Sequence, residues 1–250
     1  MSKHLLLNDT SAYHRGCAKV IETFTFDDSI PTNTPFSEDY NYSQYSTVTL
    51  NGEGTMHHDR PNAIKFLDAL RRFQQAGCET YITNSVWDSM SNKWDDVLIN
   101  CKSIKVRDVL SQRQLLSKHH ISAEVAPDRS IIPDVPLENY TPIKVYQGQW
   151  FFEEPSTNFP KLNIFKQSWN EIVNRLRHCE LLITGRHHEA YAAIKAKCNF
   201  IVLSGNTHKN EGIYLNAGIE PINNLKYIED VLNGKYDKQF KTLHEYYGKF

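Results

Sequence analysis

A chain of 250 residues has room for one large α/β domain or two small ones, each able to bury its own core. Its 40% hydrophobic and 23% charged content is ordinary for a folded protein and excludes a disordered chain, while a net charge of −1 gives no global attraction for nucleic acid or an anionic membrane. Five cysteines (Cys17, Cys78, Cys101, Cys179, Cys198) with no CxxC pair argue against a disulfide framework and for reduced, buried thiols in a cytoplasmic protein. No apolar run approaches the ~20 residues that cross a bilayer, and the first residues enter a strand without a signal-peptide pattern.

Strands and helices alternate along the chain. Leu5-Leu6-Leu7 reads as a buried strand that opens into the polar turn Asp9–Gly16, with a helix over Cys17–Phe24. Residues 27–45 read as a long surface loop, a lid or an acceptor-binding loop, in which the alternating Tyr40, Tyr42 and Tyr45 form either a stacking surface or, the reading slightly favoured, a partly buried edge strand. Ser46–Leu50 is the next strand, followed by the turn Asn51–Asp59. A helix opens at Pro61, where a missing N–H costs nothing; it presents Ile64, Leu67, Leu70 and Phe73 to the core and ends at Gly77.

The strand Glu79–Thr83 ends at Asn84–Asp88. A helix over Trp94–Ile99, a strand over Ser103–Val106, a helix over Val109–Lys118 and a strand over Ala123–Ala126 continue the series. Pro127, Pro133, Pro136 and Pro142 mark a linker, after which a strand (Ile143–Tyr146) and a helix (Leu162–Arg177) begin a second series. Leu181–Ile183 and Phe200–Leu203 are its buried strands, and the tail from Lys226 to Phe250 has helical character. This alternation predicts two Rossmann-like α/β domains with parallel sheets, residues 1–135 and 136–250, facing each other across a cleft.

The densest chemistry lies between Leu181 and Ile213. Two strands there end in polar clusters, Thr184–His188 and Ser204–Gly212, each at the start of a helix. Helix starts carry unpaired N–H groups and partial positive charge, and Gly185 and Gly205 allow close approach to the backbone. Arg186 adds a forked donor and Lys209 a point charge, so the pair suits a phosphate or carboxylate. Ser204, Asn206, Thr207 and Glu211 complete the candidate donor-binding set, while His187, His188 and His208 can move protons near neutral pH. The bland reading leaves Arg186 and Glu189 as a surface cap and pair.

The amino-terminal half places further candidates at strand ends: Asp9, His14, Glu53, His57, His58 and Asn84, which form the acceptor side of the expected cleft. Gly52 and Gly54 are expected to leave Glu53 exposed to substrate, unless Gly52-Glu53-Gly54 is simply a tight turn. His57-His58-Asp59 is not expected to hold a metal, since adjacent histidines on a loop rarely face one ion. GxGxxG, GxxxxGK[ST] and Asp-x-Asp are all missing, so no dinucleotide cofactor, P-loop or metal-held diphosphate is expected.

The residues Asn8-Asp9-Thr10-Ser11 with His14 and Gly16-Cys17, then Asn51–Asp59, Val106-Arg107-Asp108, Thr184–His188 and Ser204–Gly212, together resemble the polysaccharide pyruvyl transferase family. The resemblance runs in order through most of the chain. It implies a two-domain fold similar to the GT-B glycosyltransferases and transfer of pyruvate from phosphoenolpyruvate to sugar hydroxyls as a ketal. It makes His188 the general acid and Arg186 the anion clamp, with Lys209 adding charge. Glu53 or Asp9 is our own candidate for the base. His187 departs from the family, which usually has Phe or Leu there, and the second half is compact.

Two other readings stay open. A metal-independent GT-B-type glycosyltransferase would use the same cations for a nucleotide sugar, with a glycan or a hydroxymethylated base of phage DNA as acceptor. Neutral net charge disfavours DNA, although Arg71, Arg72, Lys102, Lys105 and Arg107 offer a local patch. A non-catalytic binding relative should have lost at least one of Arg186, His188, Lys209 and Glu53, and all four are present.

Overall fold

Leu5, Leu6 and Leu7 are fully buried in the first strand, β1 (His4–Asp9). A parallel strand is covered on both faces and so takes a continuous apolar run rather than an alternating one. The computed structural model describes residues 3–37, 39–150 and 157–250. Its internal contacts form two α/β units, Met1–Thr10 with Phe24–Ala126 and Ser11–Thr23 with Pro127–Phe250. The fold class is the expected one: α/β, with a parallel sheet in each unit.

The segment after β1 forms α1 (Arg15–Ile21), which groups with the second unit. The first unit continues as β2 (Asp28–Pro31), β3 (Thr47–Glu53), α2 (Pro61–Gln75), β4 (Glu79–Ser85), α3 (Asp95–Ile99), β5 (Ser103–Val106), α4 (Val109–His119) and β6 (Glu124–Val125). Its sheet is parallel throughout, in the order β2-β1-β3-β4-β5-β6. Pro61 opens α2 as its first residue, and Phe66, Leu67, Leu70 and Phe73 form the buried stripe. Gly77, at φ 87°, turns the chain out of the helix, and the Cys78 amide closes on the Phe73 carbonyl at 3.0 Å.

The tyrosines of the long loop do not form an edge strand. That sheet edge is occupied by β2, and Tyr42 lies instead in a single 3-10 turn, Tyr42–Gln44. The rings pack on α2: Tyr42 and Tyr45 approach Phe73 at centroid distances of 4.8 and 6.2 Å, and Tyr40 packs on Tyr42 at 5.0 Å. Edge-to-face packing of this kind gives large rings more than a lone sheet edge does.

The second unit holds β7 (Ile143–Gln147), α5 (Trp169–Arg177), β8 (Cys179–Thr184), α6 (His187–Ala196), β9 (Asn199–Val202), α7 (Lys209–Asn216), α8 (Ile228–Leu232) and α9 (Asp237–Tyr247). Its three strands are parallel in the order β7-β8-β9, with β8 central. Every residue of α6 from His187 to Ile194 is buried. A helix enclosed on all sides must be small or apolar around its whole circumference, which Ala190, Tyr191, Ala192, Ala193 and Ile194 supply. Phe240 and Leu243 of α9 close the core against Phe200 and its neighbours.

The helix expected from Leu162 begins only at Trp169, because the Ser168 hydroxyl caps it by accepting from the Glu171 amide at 3.1 Å. The proline-rich stretch read as a linker before a boundary at 135/136 packs with the second unit. Ile131 and Val135 lie in that core, and the Asn174 amide donates to the Pro136 carbonyl at 2.9 Å. Among the described residues no helix is long and apolar enough to cross a membrane.

β3 and β4 approach closely at Gly52. A Cβ on Gly52 would lie 2.3 Å from Ser85 Oγ and 2.4 Å from Ser85 Cβ. Gly52→Ala is therefore expected to destabilise the first unit by about 1–3 kcal/mol, the cost of overpacking, read as a lower urea midpoint at unchanged slope.

Candidate functional site

Three neighbouring strands of the first unit end in residues with positive φ: Asn8 (63°) on β1, Glu53 (40°) on β3 and Asn84 (54°) on β4. Left-handed backbone costs an ordinary L-residue roughly 1–2 kcal/mol and asparagine least, because its short amide can bond locally. Here the amides bond to one another. Asn8 Nδ2 donates to the Asn51 carbonyl at 2.6 Å and Asn51 Nδ2 to the Asn8 carbonyl at 3.3 Å. Asn84 Nδ2 donates to Asn51 Oδ1 at 3.0 Å, and Arg107 Nε donates to the backbone and side-chain oxygens of Asn84 at 2.9 and 3.2 Å.

Glu53 is not exposed as its flanking glycines suggested. It is 5% exposed, with Oε1 3.8 Å from Arg107 Nη2. Gly52, on β3, is pressed against Ser85, and the Thr55 amide closes a tight turn on its carbonyl at 2.9 Å, so the chain carries Glu53 inward. Asp9, on the same sheet edge, accepts from the Ser29 hydroxyl at 2.8 Å. His57 and His58 follow β3, their rings at 87° and their Nδ1 atoms 3.0 Å apart. Asp59 beside them is engaged in holding the chain: burial would raise its pKa, but bonds from Ser91 and the Trp94 indole, with Lys93 nearby, bring it below the usual value. Asn51 joins this edge although its side chain was not singled out. Its signal is that strand β3 stays polar after Leu50.

In the second unit the two polar clusters of the sequence form one edge. The Gly185 amide donates to the Gln149 carbonyl at 2.8 Å and the Arg186 amide to Thr184 Oγ1 at 2.9 Å, which sets the turn into α6. Asn210, in the first turn of α7, donates from one Nδ2 to Leu203 O at 2.7 Å and to Gly185 O at 3.3 Å, tying the turn after β9 to the turn after β8. Lys209 Nζ donates to Asn206 Oδ1 at 3.0 Å, Ser204 Oγ donates to Glu211 Oε1 at 2.7 Å, and Thr207 is buried between them in sequence. The Arg186 guanidinium lies 5.7 Å from the Phe165 ring centroid. Neither helix start is capped by its own N-cap side chain.

Glu189, which the bland reading left as a surface partner of Arg186, is fully buried. Its Oε2 accepts from Thr184 Oγ1 at 2.5 Å and from the Gln149 amide at 2.8 Å. Burial pushes its pKa up to about 7, against the pull of those two bonds and of Arg186. The approach needs a glycine at 148, where a Cβ would stand 2.1 Å from Oε2. One local signal pointed here: an acid at the third position of a helix whose middle, Ala190–Ile194, is small or apolar.

His188 lies in the first turn of α6 and is buried. α1 lies directly on it, since a Cβ on Gly16 would come within 2.6 Å of His188 Cβ. His14, placed by sequence with the amino-terminal acceptor candidates, groups with the second unit, its ring 4.8 Å from that of His188. It caps α1 by accepting from the Cys17 amide at Nδ1, 3.2 Å away. Ligand-capable atoms of His14, Cys17 and His188 lie within 4.8 Å of one another. The cap decides what they suit: with Nδ1 accepting, the neutral His14 ring carries its proton on Nε2, 3.5 Å from Cys17 Sγ, where it is a donor rather than a lone pair for a cation. His187 is buried against Tyr191 at 4.9 Å, packing as an aromatic ring would. Asp128 sits with Oδ2 3.5 Å from His188 Nε2 and 3.9 Å from His187 Nε2.

No family model matches the chain, and no curated protein matches it in sequence. Solved structures match in fold. A functionally uncharacterised protein from Klebsiella pneumoniae is similar at a TM-score of 0.60, with 14% identity over 86% of this chain and 88% of that one. A UDP-N-acetylglucosamine 2-epimerase is similar at 0.55, with 9% identity over 98% and 90%, and the S. aureus MnaA protein solved with UDP at 0.53, with 9% identity over 98% and 91%. At such identities the likeness establishes the fold alone: α/β, GT-B-like, with one parallel sheet of six strands and a second parallel sheet. The pyruvyl transferase resemblance rests on the quoted residues alone.

The buried carboxyl gives this edge a pH dependence. Folded Glu189 holds its proton to about pH 7 while the unfolded chain releases it near the ordinary glutamate value of 4.5, so the unfolded state binds fewer protons in that window and stability falls as pH rises through it. The loss is expected to be on the order of 3 kcal/mol and to vanish in Glu189→Gln, as read from urea midpoints of both proteins at the two ends of the window.

Proposed function

We propose that the chain transfers pyruvate from phosphoenolpyruvate to the hydroxyls of a carbohydrate, using the carboxyl edge of β8 and β9 for the donor. The observation that carries this reading is the joined edge: Asn210 ties the Arg186 turn to the Ser204–Lys209 turn, and His188 lies one residue inside the first helix. An anion held there meets the starts of α6 and α7 together with Arg186 and Lys209, and a proton donor stands beside it. No pair of carboxylates is needed to bring a metal.

In this reading Arg186 and the helix amides grip the phosphate and carboxylate of the donor. His188 gives a proton to the methylene carbon of the enol, and the adjoining carbon becomes electrophilic. One hydroxyl adds there and gives its proton to a base; a second hydroxyl of the same acceptor then displaces phosphate and closes the ketal. Cationic groups that neutralise the leaving phosphate supply the main stabilisation.

A nucleotide sugar is the competing donor, since the same cations suit a diphosphate and the S. aureus neighbour was solved with UDP. Its acceptor would be a glycan or a modified DNA base. Thermal unfolding with phosphoenolpyruvate, uridine and cytidine nucleotides and their sugar conjugates separates the two. A ligand at 100 times its Kd stabilises by about 2.7 kcal/mol. We expect phosphoenolpyruvate to raise the Tm and Arg186→Ala to abolish the rise. A rise with a nucleotide and none with phosphoenolpyruvate overturns the pyruvyl reading and promotes glycosyl transfer.

A further inference from the structure

Asp128 is fully buried in the second unit, at the head of the 3-10 turn Arg129–Ile131. A buried carboxylate costs several kcal/mol unless its oxygens are matched by donors or charge. Oδ1 accepts from the Ser130 amide at 2.9 Å. Oδ2 faces two imidazoles, His188 Nε2 at 3.5 Å and His187 Nε2 at 3.9 Å. We propose that Asp128 is the positioning carboxylate of His188: its charge, 3.5 Å from Nε2, favours a proton on that nitrogen and leaves Nδ1 to carry the transferable proton, and His187 Nε2, at 3.9 Å, draws on the same oxygen.

The chemistry follows from the pairing. A carboxylate beside an imidazole favours the charged ring and fixes the tautomer of the neutral one. When His188 acts, the Nδ1–H bond breaks as the new C–H bond of the donor forms, and the neutral ring that remains keeps its other proton on Nε2 against Asp128. Solvent then returns a proton to Nδ1. Asp128 touches no reacting atom in this scheme. The role of His188 as acid rests on the proposed pyruvyl transfer, but the pairing with Asp128 is independent of it.

The other charged and titratable groups around His188 are His14 and Cys17 from α1, and Arg186, His187 and Glu189 on its own helix. Arg129, next to Asp128, is held on the Thr23 hydroxyl and carbonyl. On α5, which also packs on α6, Glu171 pairs with Arg175, and Arg177 bonds the Val135 and Pro136 carbonyls. On α9, His244 senses Lys197 at the opposite end of α6. His187 is where the chain departs from the family it resembles. A phenylalanine there would remove one of the two imidazoles that face Asp128 Oδ2.

Imidazole nitrogen NMR of the full-length chain tests the assignment. We expect neutral His188 to be the Nε2–H tautomer. In Asp128→Asn its proton affinity should fall about tenfold, one pH unit in its midpoint, and in His187→Phe the midpoint should rise. Where transfer activity is measurable, Asp128→Asn should lower kcat and shift its pH profile while KM for phosphoenolpyruvate stays nearly constant, with partial rescue in Asp128→Glu. An Nδ1–H tautomer in the unsubstituted protein overturns the inference, as does an unmoved His188 midpoint in folded Asp128→Asn. Should Asp128→Asn fail to fold, the native tautomer and the His187→Phe midpoint still decide. Failure of the pyruvyl reading shows separately, as a melt that phosphoenolpyruvate does not move.

Discussion

Parallel strands must release the chain at their carboxyl ends, and there backbone groups lose their ladder partners while still buried. A buried donor or acceptor left unmatched costs about 1–3 kcal/mol, so side chains must take over. In the first unit the amides of Asn8, Asn51 and Asn84 do so, anchored by Arg107. In the second, Thr184, Glu189 and Asn210 do the same for the turns after β7, β8 and β9. In open α/β sheets generally, that carboxyl edge is where ligands bind.

Glu189 illustrates how packing and protonation become linked. Its carboxyl touches both the strand end at Thr184 and the amide of Gln149, so two connections of the sheet depend on a single buried acid. An acceptor is needed there, yet full charge in a closed interior is costly. Holding a proton up to near-neutral pH is the compromise. The Arg186 turn, which sits on Thr184, inherits that dependence.

The placement of α1 has a comparable consequence. Ser11–Thr23 packs with the second unit, and Arg129 fastens its far end through Thr23. Gly16 has no side chain, so the helix comes close enough to bring His14 to His188. One early segment thereby completes the surroundings of a histidine that belongs to the last third of the chain.

Much of this was legible in the residues themselves. Leu5–Leu7, Leu181–Ile183 and Phe200–Leu203 read as buried strands because doubly covered strands need unbroken apolar runs, with only Leu203 falling beyond its strand, and α2 read correctly because Pro61 and its period of apolar residues act locally. The polar strand ends were visible for the same reason. Local sequence could not say that the tyrosines would settle on Phe73 instead of a sheet edge, that Glu53 would turn inward toward Arg107, or that Glu189 would be enclosed. It also could not set Asp128 beside two histidines or His14 beside His188. Those outcomes depend on which distant segments share an interior. Sequence alone determined the alternating elements and the chemistry at their ends; the tertiary structure decided which of those groups are buried together, because burial and pairing between remote residues have no local signature.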